Sequence, residues 1–172
     1  RSKKFNFTKI AAIESRGFIF ASAVSYILNK PFIMLRKKNK LPSDVYSVDF
    51  ELEYGSATIE MHKDSVDEKD KVLIIDDLIA TGGTAEAAAK LIKISKGKVA
   101  GFIFVINLFD LKGSDNLISK NQNLVGSITG LSNSEAIAFT DKFVILSVPW
   151  SGHNNTLSEM KEMLVDKVLV DI

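Results

Sequence analysis

Two adjacent acids and a run of small residues stand near the middle of this 172-residue chain: Asp76-Asp77, then Leu78-Ile79, then Ala80-Thr81-Gly82-Gly83-Thr84. A loop of small residues that leads into a helix presents consecutive backbone N–H groups with nothing bulky in the way, which suits a phosphate dianion. Carboxylates beside it can accept hydrogen bonds from the 2′- and 3′-hydroxyls of a ribose, and a divalent ion would favour them further. Together these residues describe a grip for a ribose 5-phosphate. No Lys follows the glycines, so this is not a triphosphatase P-loop. Nor are the glycines spaced G-x-G-x-x-G, which argues against a dinucleotide site. An ordinary strand–turn–helix whose acids merely open the turn is the bland alternative.

Other stretches carry charge where ligands of open α/β sheets bind. Ser15-Arg16-Gly17 follows the apolar run Lys9–Ile13, and a buried Arg there needs an anionic partner, either a ligand or a structural carboxylate. Arg36-Lys37-Lys38-Asn39-Lys40-Leu41-Pro42 follows a second apolar run. Such a cluster is commonly a solvated surface, but at a strand's carboxyl end its cations can hold pyrophosphate.

The elements that must position these groups are readable from periodicity. Lys9–Ile13 reads as a central strand, Phe18–Leu28 as a mostly buried helix and Pro31–Leu35 as a second strand, giving a right-handed βαβ unit. Val45–Leu52 and Ala57–His62 read as the arms of a β-ribbon around residues 53–56, a lid-like excursion between sheet strands. Val72–Ile75 reads as a buried parallel strand, with Thr84 as cap of the helix after it and Gly97 as that helix's stop. Val99–Asn107 is a further strand, and 108–122 a loop with a short helix. Residues 123–140 read as loop or weak strand, and 142–148 as a last strand. A terminal helix is expected over Ser158–Val165, capped by Thr156 with Glu159 completing a capping box. The fold class is α/β, a central mostly parallel sheet flanked by helices, in one domain over 1–172 with a variable segment from about residue 123.

Composition excludes more than it assigns. Lys plus Arg at 22 against Asp plus Glu at 21 leaves a net charge of +1, so there is no footprint for nucleic acid. No apolar run reaches the ~18 residues that span a bilayer, and the N-terminal residues do not read as a signal peptide, so no membrane partner is expected. Zero cysteines rule out disulfides and thiolate metal sites and fit a cytoplasmic location.

Asp76–Thr84 resembles the phosphoribosyl pyrophosphate (PRPP) motif of type I phosphoribosyltransferases. Glu14-Ser15-Arg16-Gly17-Phe18-Ile19-Phe20, Arg36-Lys37-x-x-Lys40-Leu41-Pro42, Leu52-Glu53-Tyr54-Gly55 and Glu60-Met61-His62-Lys63-Asp64 resemble one branch of that family, the adenine phosphoribosyltransferases. The likeness covers roughly Thr8 to Leu111. It implies the type I fold, transfer of the 5-phosphoribosyl group from PRPP to adenine giving AMP and pyrophosphate, Mg²⁺ carried by PRPP rather than by an assigned protein ligand, and a homodimer. It also implies roles. Asp76 and Asp77 would bind the ribose, and Ala80, Thr81, Gly82, Gly83 and Thr84 the 5′-phosphate. Ser15, Arg16, Arg36, Lys37, Lys40 and Tyr54 would hold pyrophosphate, with a cis peptide at Glu14–Ser15. Leu78 would wall the base, and Glu53, Arg16 and Lys40 would be the catalytic groups. Glu53 can equally be an exposed lid residue, and His62 and His153 read as surface histidines. The family's N-terminal hood segment, which helps recognise the base, has no counterpart here. A phosphoribosyltransferase for hypoxanthine, guanine or xanthine, or a PRPP-binding regulator, are therefore the alternatives.

Overall fold

The computed structural model describes residues 6–52, 55–108, 111–120, 143–146, 150–165 and 168–171. The chain divides into two compact units, Arg1–Thr129 and Gly130–Ile172. In the first unit the order is β1 (Lys9–Ile13), α1 (Arg16–Leu28), β2 (Phe32–Lys37), β3 (Val45–Leu52), β4 (Gly55–His62), β5 (Lys71–Ile79), α2 (Gly83–Ile94), β6 (Lys98–Asn107) and α3 (Gly113–Lys120).

These strands form one six-stranded sheet in the order β3-β4-β2-β1-β5-β6. Pairs β2/β1, β1/β5 and β5/β6 are parallel, while β4 pairs antiparallel with both β2 and β3. The parallel centre follows from strands that are apolar on both faces. Along β1, Ile10 and Ala12 join the cluster under α1, whereas Ala11 and Ile13 join the cluster under α2. Along β5, Leu73 and Ile75 take the α1 side and Val72 and Ile74 the α2 side. This alternation seats a helix on each face and leaves the carboxyl ends of β1, β2 and β5 together.

Several boundaries differ from the sequence reading. β2 runs on through Arg36 and Lys37, which pair with Glu60 and Ile59 of β4, so the ribbon continues the sheet rather than standing off it. Helix α1 begins at Arg16, earlier than expected. Thr84 does not cap α2: the helix starts at Gly83, its N-cap is Gly82 at φ 88°, and no side chain caps it. The left-handed residue after α2 is Lys96, not Gly97. Gly97 has a different reason to lack a side chain, because a Cβ there would lie 2.4 Å from Val66 Cγ1.

In the second unit β7 (Phe143–Leu146) pairs in parallel with β8 (Val168–Asp171). Helix α4 spans Trp150–Met160 and passes into a 3₁₀ turn over Lys161–Leu164. The terminal helix thus begins well before Ser158, and Thr156 lies inside it rather than capping it. The pattern misled because Trp150-Ser151-Gly152-His153 has little helix propensity, whereas Thr156…Glu159 fits a capping box. Met160 is buried against Leu157, Met163 and Leu164. The loop or weak-strand reading of 123–140 lies outside the described residues.

Candidate active site

A cavity of about 620 Å³ opens at the carboxyl ends of β1, β2 and β5. Its walls gather Ser15 and Arg16 from the turn after β1, Lys37 from the end of β2, Asp76, Asp77 and Leu78 from β5, and the loop Ala80–Thr84. Phe104 and Leu111 add apolar surface beside Leu78. The residues that the sequence marks for ribose and 5′-phosphate therefore share one cavity with three of those marked for pyrophosphate, Ser15, Arg16 and Lys37. Arg36 and Lys40 do not line it, while Glu53 and Tyr54 lie outside the described residues.

The phosphate loop owes its shape to local sequence and to one distant contact. Gly82 supplies the positive φ that turns the chain into α2. Without a side-chain cap, the first N–H groups of α2 remain for an anion, and the helix dipole favours one there. From behind, Gly113 at the start of α3 presses on the loop so closely that a Cβ would lie 2.0 Å from the Ala80 carbonyl oxygen. Glu86, in the first turn of α2, accepts from Lys120 of α3 at 2.7 Å and from Lys90 at 3.2 Å, tying the helices together.

The acidic pair is asymmetric. Asp77 is buried and accepts a hydrogen bond from Arg16 Nε, so the partner that an Arg in this turn required is a carboxylate of the ribose grip itself. Arg16 is not buried, however; its side chain is 54% exposed. Asp76 Oδ1 accepts the backbone N–H of Asp77 at 2.9 Å. Burial, with the neighbouring Asp77 charge, pushes Asp76 up to about 7. Gly17 makes room for this carboxylate, since a Cβ on it would lie 2.7 Å from Asp76 Oδ1 and 3.0 Å from the Ile75 carbonyl oxygen.

The basic side is organised by Glu14. The Glu14–Ser15 peptide bond is cis. Glu14 Oε1 accepts from Arg36 Nη2 at 2.9 Å and Oε2 from the backbone N–H of Lys37 at 2.9 Å. The Arg36 hydrogen bond, chief among several causes, holds the Glu14 carboxyl below its usual range. His62 is half-buried in β4, and the side chain of His153 lies outside the described residues.

Sequence reasoning missed Glu14, Gly113, Phe104 and Leu111. Glu14 adjoins Ser15 and could have been found by its position; nothing local marks the other three, whose parts depend on distant contacts. Among the described residues no three His, Cys, Asp or Glu side chains converge as a metal cage. The acidic pair fits the other mode of Mg²⁺ binding, in which one or two carboxylates act together with substrate phosphates.

Residues 1–135 match the model of the phosphoribosyl transferase domain family. The adenine phosphoribosyltransferase of Pelagibacter ubique is 74% identical over 120 residues, which is 70% of this chain and 69% of that protein. The crystal structure of the adenine phosphoribosyltransferase of Thermoanaerobacter pseudethanolicus superposes with a TM-score of 0.66 at 44% identity, over 67% of each chain. That of the Saccharomyces cerevisiae enzyme, complexed with adenine and an imino-altritol bisphosphate, gives 0.63 at 35% identity, over 66% of this chain and 65% of that one. The chain belongs to the phosphoribosyl transferase family, in its adenine phosphoribosyltransferase branch.

Proposed function

We propose that this chain transfers the 5-phosphoribosyl group of PRPP to adenine, giving AMP and pyrophosphate in purine salvage. The observation that carries this reading is the convergence in one cavity of an acidic pair, an uncapped helix N-terminus and a cationic turn. Those are complements for the hydroxyls, the 5′-phosphate and the pyrophosphate of a single substrate.

On this reading the backbone of Ala80–Thr84 takes the 5′-phosphate, and Asp76 and Asp77 accept hydrogen bonds from the ribose hydroxyls. PRPP separates the Arg16–Asp77 pair: Asp77 turns to the sugar, and Arg16 with Ser15, Arg36, Lys37 and Lys40 faces the pyrophosphate. Breaking the bond from the anomeric carbon to pyrophosphate places positive charge on the ribose and negative charge on the leaving group. Preorganised carboxylates stabilise the first and preorganised cations the second. Asp76 and Asp77, together with the substrate's pyrophosphate, would hold a Mg²⁺ ion, which would supply charge neutralisation of the leaving group. Leu78 is the apolar wall for the base. The purine N9 attacks the anomeric carbon, and Glu53 takes the proton released there. Tyr54 closes over the pyrophosphate and excludes water.

A second reading, transfer to another purine, draws on the apolar character of the wall formed by Leu78, Phe104 and Leu111. Such a wall stacks any purine alike and leaves selection to polar groups elsewhere. We further propose a homodimer. Ile19, Tyr26 and Ile27 are exposed along one side of α1 and offer apolar surface for it. Among the described residues no helix is long and apolar enough to cross a membrane, and a cytoplasmic location rests on the absence of cysteine.

Calorimetric titration with PRPP and Mg²⁺ tests the reading. Saturable binding that Asp77→Asn weakens at least about tenfold, the worth of one charged hydrogen bond, is expected. Binding indifferent to Asp77 would overturn it.

A further inference from the structure

The cationic turn and the acidic pair suit different parts of a substrate, and they also suit each other. Arg16 Nε donates to Asp77 Oδ2 inside the cavity that both residues line. The partners are unequal. The Asp77 side chain is 7% exposed, so its carboxylate is costly to leave without a donor. The Arg16 side chain is 54% exposed and can exchange this partner for water or for another anion.

The backbone beneath Arg16 cannot make the same move. Arg16 opens α1, and at the next residue, Gly17, a Cβ would lie 2.7 Å from Asp76 Oδ1 and 3.0 Å from the Ile75 carbonyl oxygen. The first turn of α1 is thus seated directly on β5. Parting Arg16 from Asp77 is therefore a movement of the side chain alone.

A ribose that donates a hydroxyl to Asp77 Oδ2 must take the place of Arg16 Nε. A ligand that ends at the ribose gains only the difference between the two donors, because the displaced guanidinium goes to water. A ligand that also carries pyrophosphate gives the guanidinium a new anion beside the Ser15–Arg16 turn. The contact thus subtracts from the affinity of the first ligand and not from that of the second. An opposing interaction of this kind separates ligands that share most of their atoms.

We propose that Arg16 is a specificity-determining residue that competes with ribose for Asp77, so that the site disfavours ribose 5-phosphate and AMP relative to PRPP. This rests on the reading of the cavity as a PRPP site. Once pyrophosphate has left, the same guanidinium is free to return to Asp77 and displace the ribose of the nucleotide product.

The test is calorimetric titration at about pH 8, above the titration of Asp76, of wild type, Arg16→Ala, Asp77→Asn and the double variant. Each is titrated with PRPP plus Mg²⁺ and separately with ribose 5-phosphate, which carries the 5′-phosphate and the hydroxyls but no pyrophosphate. Arg16→Ala should bind ribose 5-phosphate about fivefold more tightly than wild type while its PRPP affinity falls at least about tenfold. In the Asp77→Asn background the same substitution should change ribose 5-phosphate affinity by less than about twofold, since no contested carboxylate remains. A further arm needs no variant to fold. Inorganic pyrophosphate, added to wild type without Mg²⁺ so that no metal bridges the ligands, should tighten ribose 5-phosphate binding by drawing Arg16 away. Unchanged or weaker ribose 5-phosphate binding in Arg16→Ala, or no gain from pyrophosphate in wild type, would make Arg16 an ordinary pyrophosphate ligand and overturn the competition while leaving the PRPP site intact. A gain in Arg16→Ala that persists in full without the Asp77 carboxylate would overturn it too. A wild-type chain that binds no PRPP would instead overturn the site, and the competition with it.

Discussion

Gly113→Ala is a sharp perturbation of the phosphate loop from outside the cavity. A Cβ at that position would lie 2.0 Å from the Ala80 carbonyl oxygen and 2.8 Å from the Gly82 nitrogen. Ordinary contact begins at 3.4 Å, so the two backbones must part by about 1.4 Å. Helix α3 is not free to take all of that movement. Lys120 holds Glu86 of α2 at 2.7 Å, Asn107 Nδ2 donates to the Ser114 hydroxyl at 3.2 Å, and Leu117 is buried. Some of the shift must pass into Ala80–Gly82. Misplacement of a binding group by ~1 Å costs on the order of 100-fold in rate, so kcat/KM should fall by about that factor. Overpacking of ~1–3 kcal/mol should lower Tm by about 2–10 °C. AMP and PRPP should weaken together, because both carry the 5′-phosphate. Gly97→Ala is the control: it clashes with Val66 and Ile92, away from the loop. It should lower Tm comparably and leave AMP affinity alone. A Gly113→Ala chain that loses stability like the control yet binds AMP within about twofold of wild type would refute the claim that α3 sets the loop.

Two further perturbations act through carboxylates of opposite sign, and one through the surface. Asp76 is raised to about 7 against 3.8 for the free side chain, so the fold favours its protonated form. Its share of stability is full below about pH 4 and is lost as pH rises to about 7. Asp76→Asn should therefore gain Tm relative to wild type across that window and match it in acid; a constant difference would contradict the burial argument. In wild type, PRPP binding should also carry a component rising about tenfold per pH unit below about 7, absent from Asp76→Asn. Asp70 is the converse. Burial pushes its carboxyl up, but bonds from Lys9, the Asp67 N–H and Thr8 outweigh this and hold it below its ordinary value. Its stability is present above about pH 4 and is lost as pH falls through the folded value, so Asp70→Asn should cost roughly 1.5–3 kcal/mol near neutrality, with the gap closing in acid. It should not change PRPP affinity, since Asp70 lies at the opposite end of β5 from the cavity. For the proposed dimer, sedimentation should show a two-chain species that Tyr26→Glu or Ile27→Glu dissociates; a wild-type monomer would contradict it.

The parts of the site that sequence made legible are those whose geometry is local. Val72–Ile75 is apolar on both faces, so a central parallel strand follows, and acids and small residues directly after it must sit at its carboxyl end. Ser15-Arg16 after β1 is placed by the same reasoning, and family likeness adds the cis bond before Ser15, which the structure contains. What could not be read depends on residues far apart in the chain. Arg16 and Asp77 are separated by 61 positions and Arg36 and Glu14 by 22, and no periodicity reports such pairings. Gly113 is a glycine because of Ala80, across the whole of α2 and β6. The helix start at Trp150 was hidden for another reason, a persuasive capping pattern at Thr156 that the longer helix overrode.

The proposed activity of this cavity is to move a phosphoribosyl group onto adenine. The measurement that bears on it most directly is nucleotide formation from PRPP and Mg²⁺ with adenine, hypoxanthine, guanine and xanthine supplied separately. AMP and pyrophosphate in equal amounts from adenine, with no nucleotide from the oxo-purines, is the predicted result. Nucleotide from an oxo-purine in place of adenine would contradict the base assignment, and PRPP binding without any product would contradict the claim of catalysis.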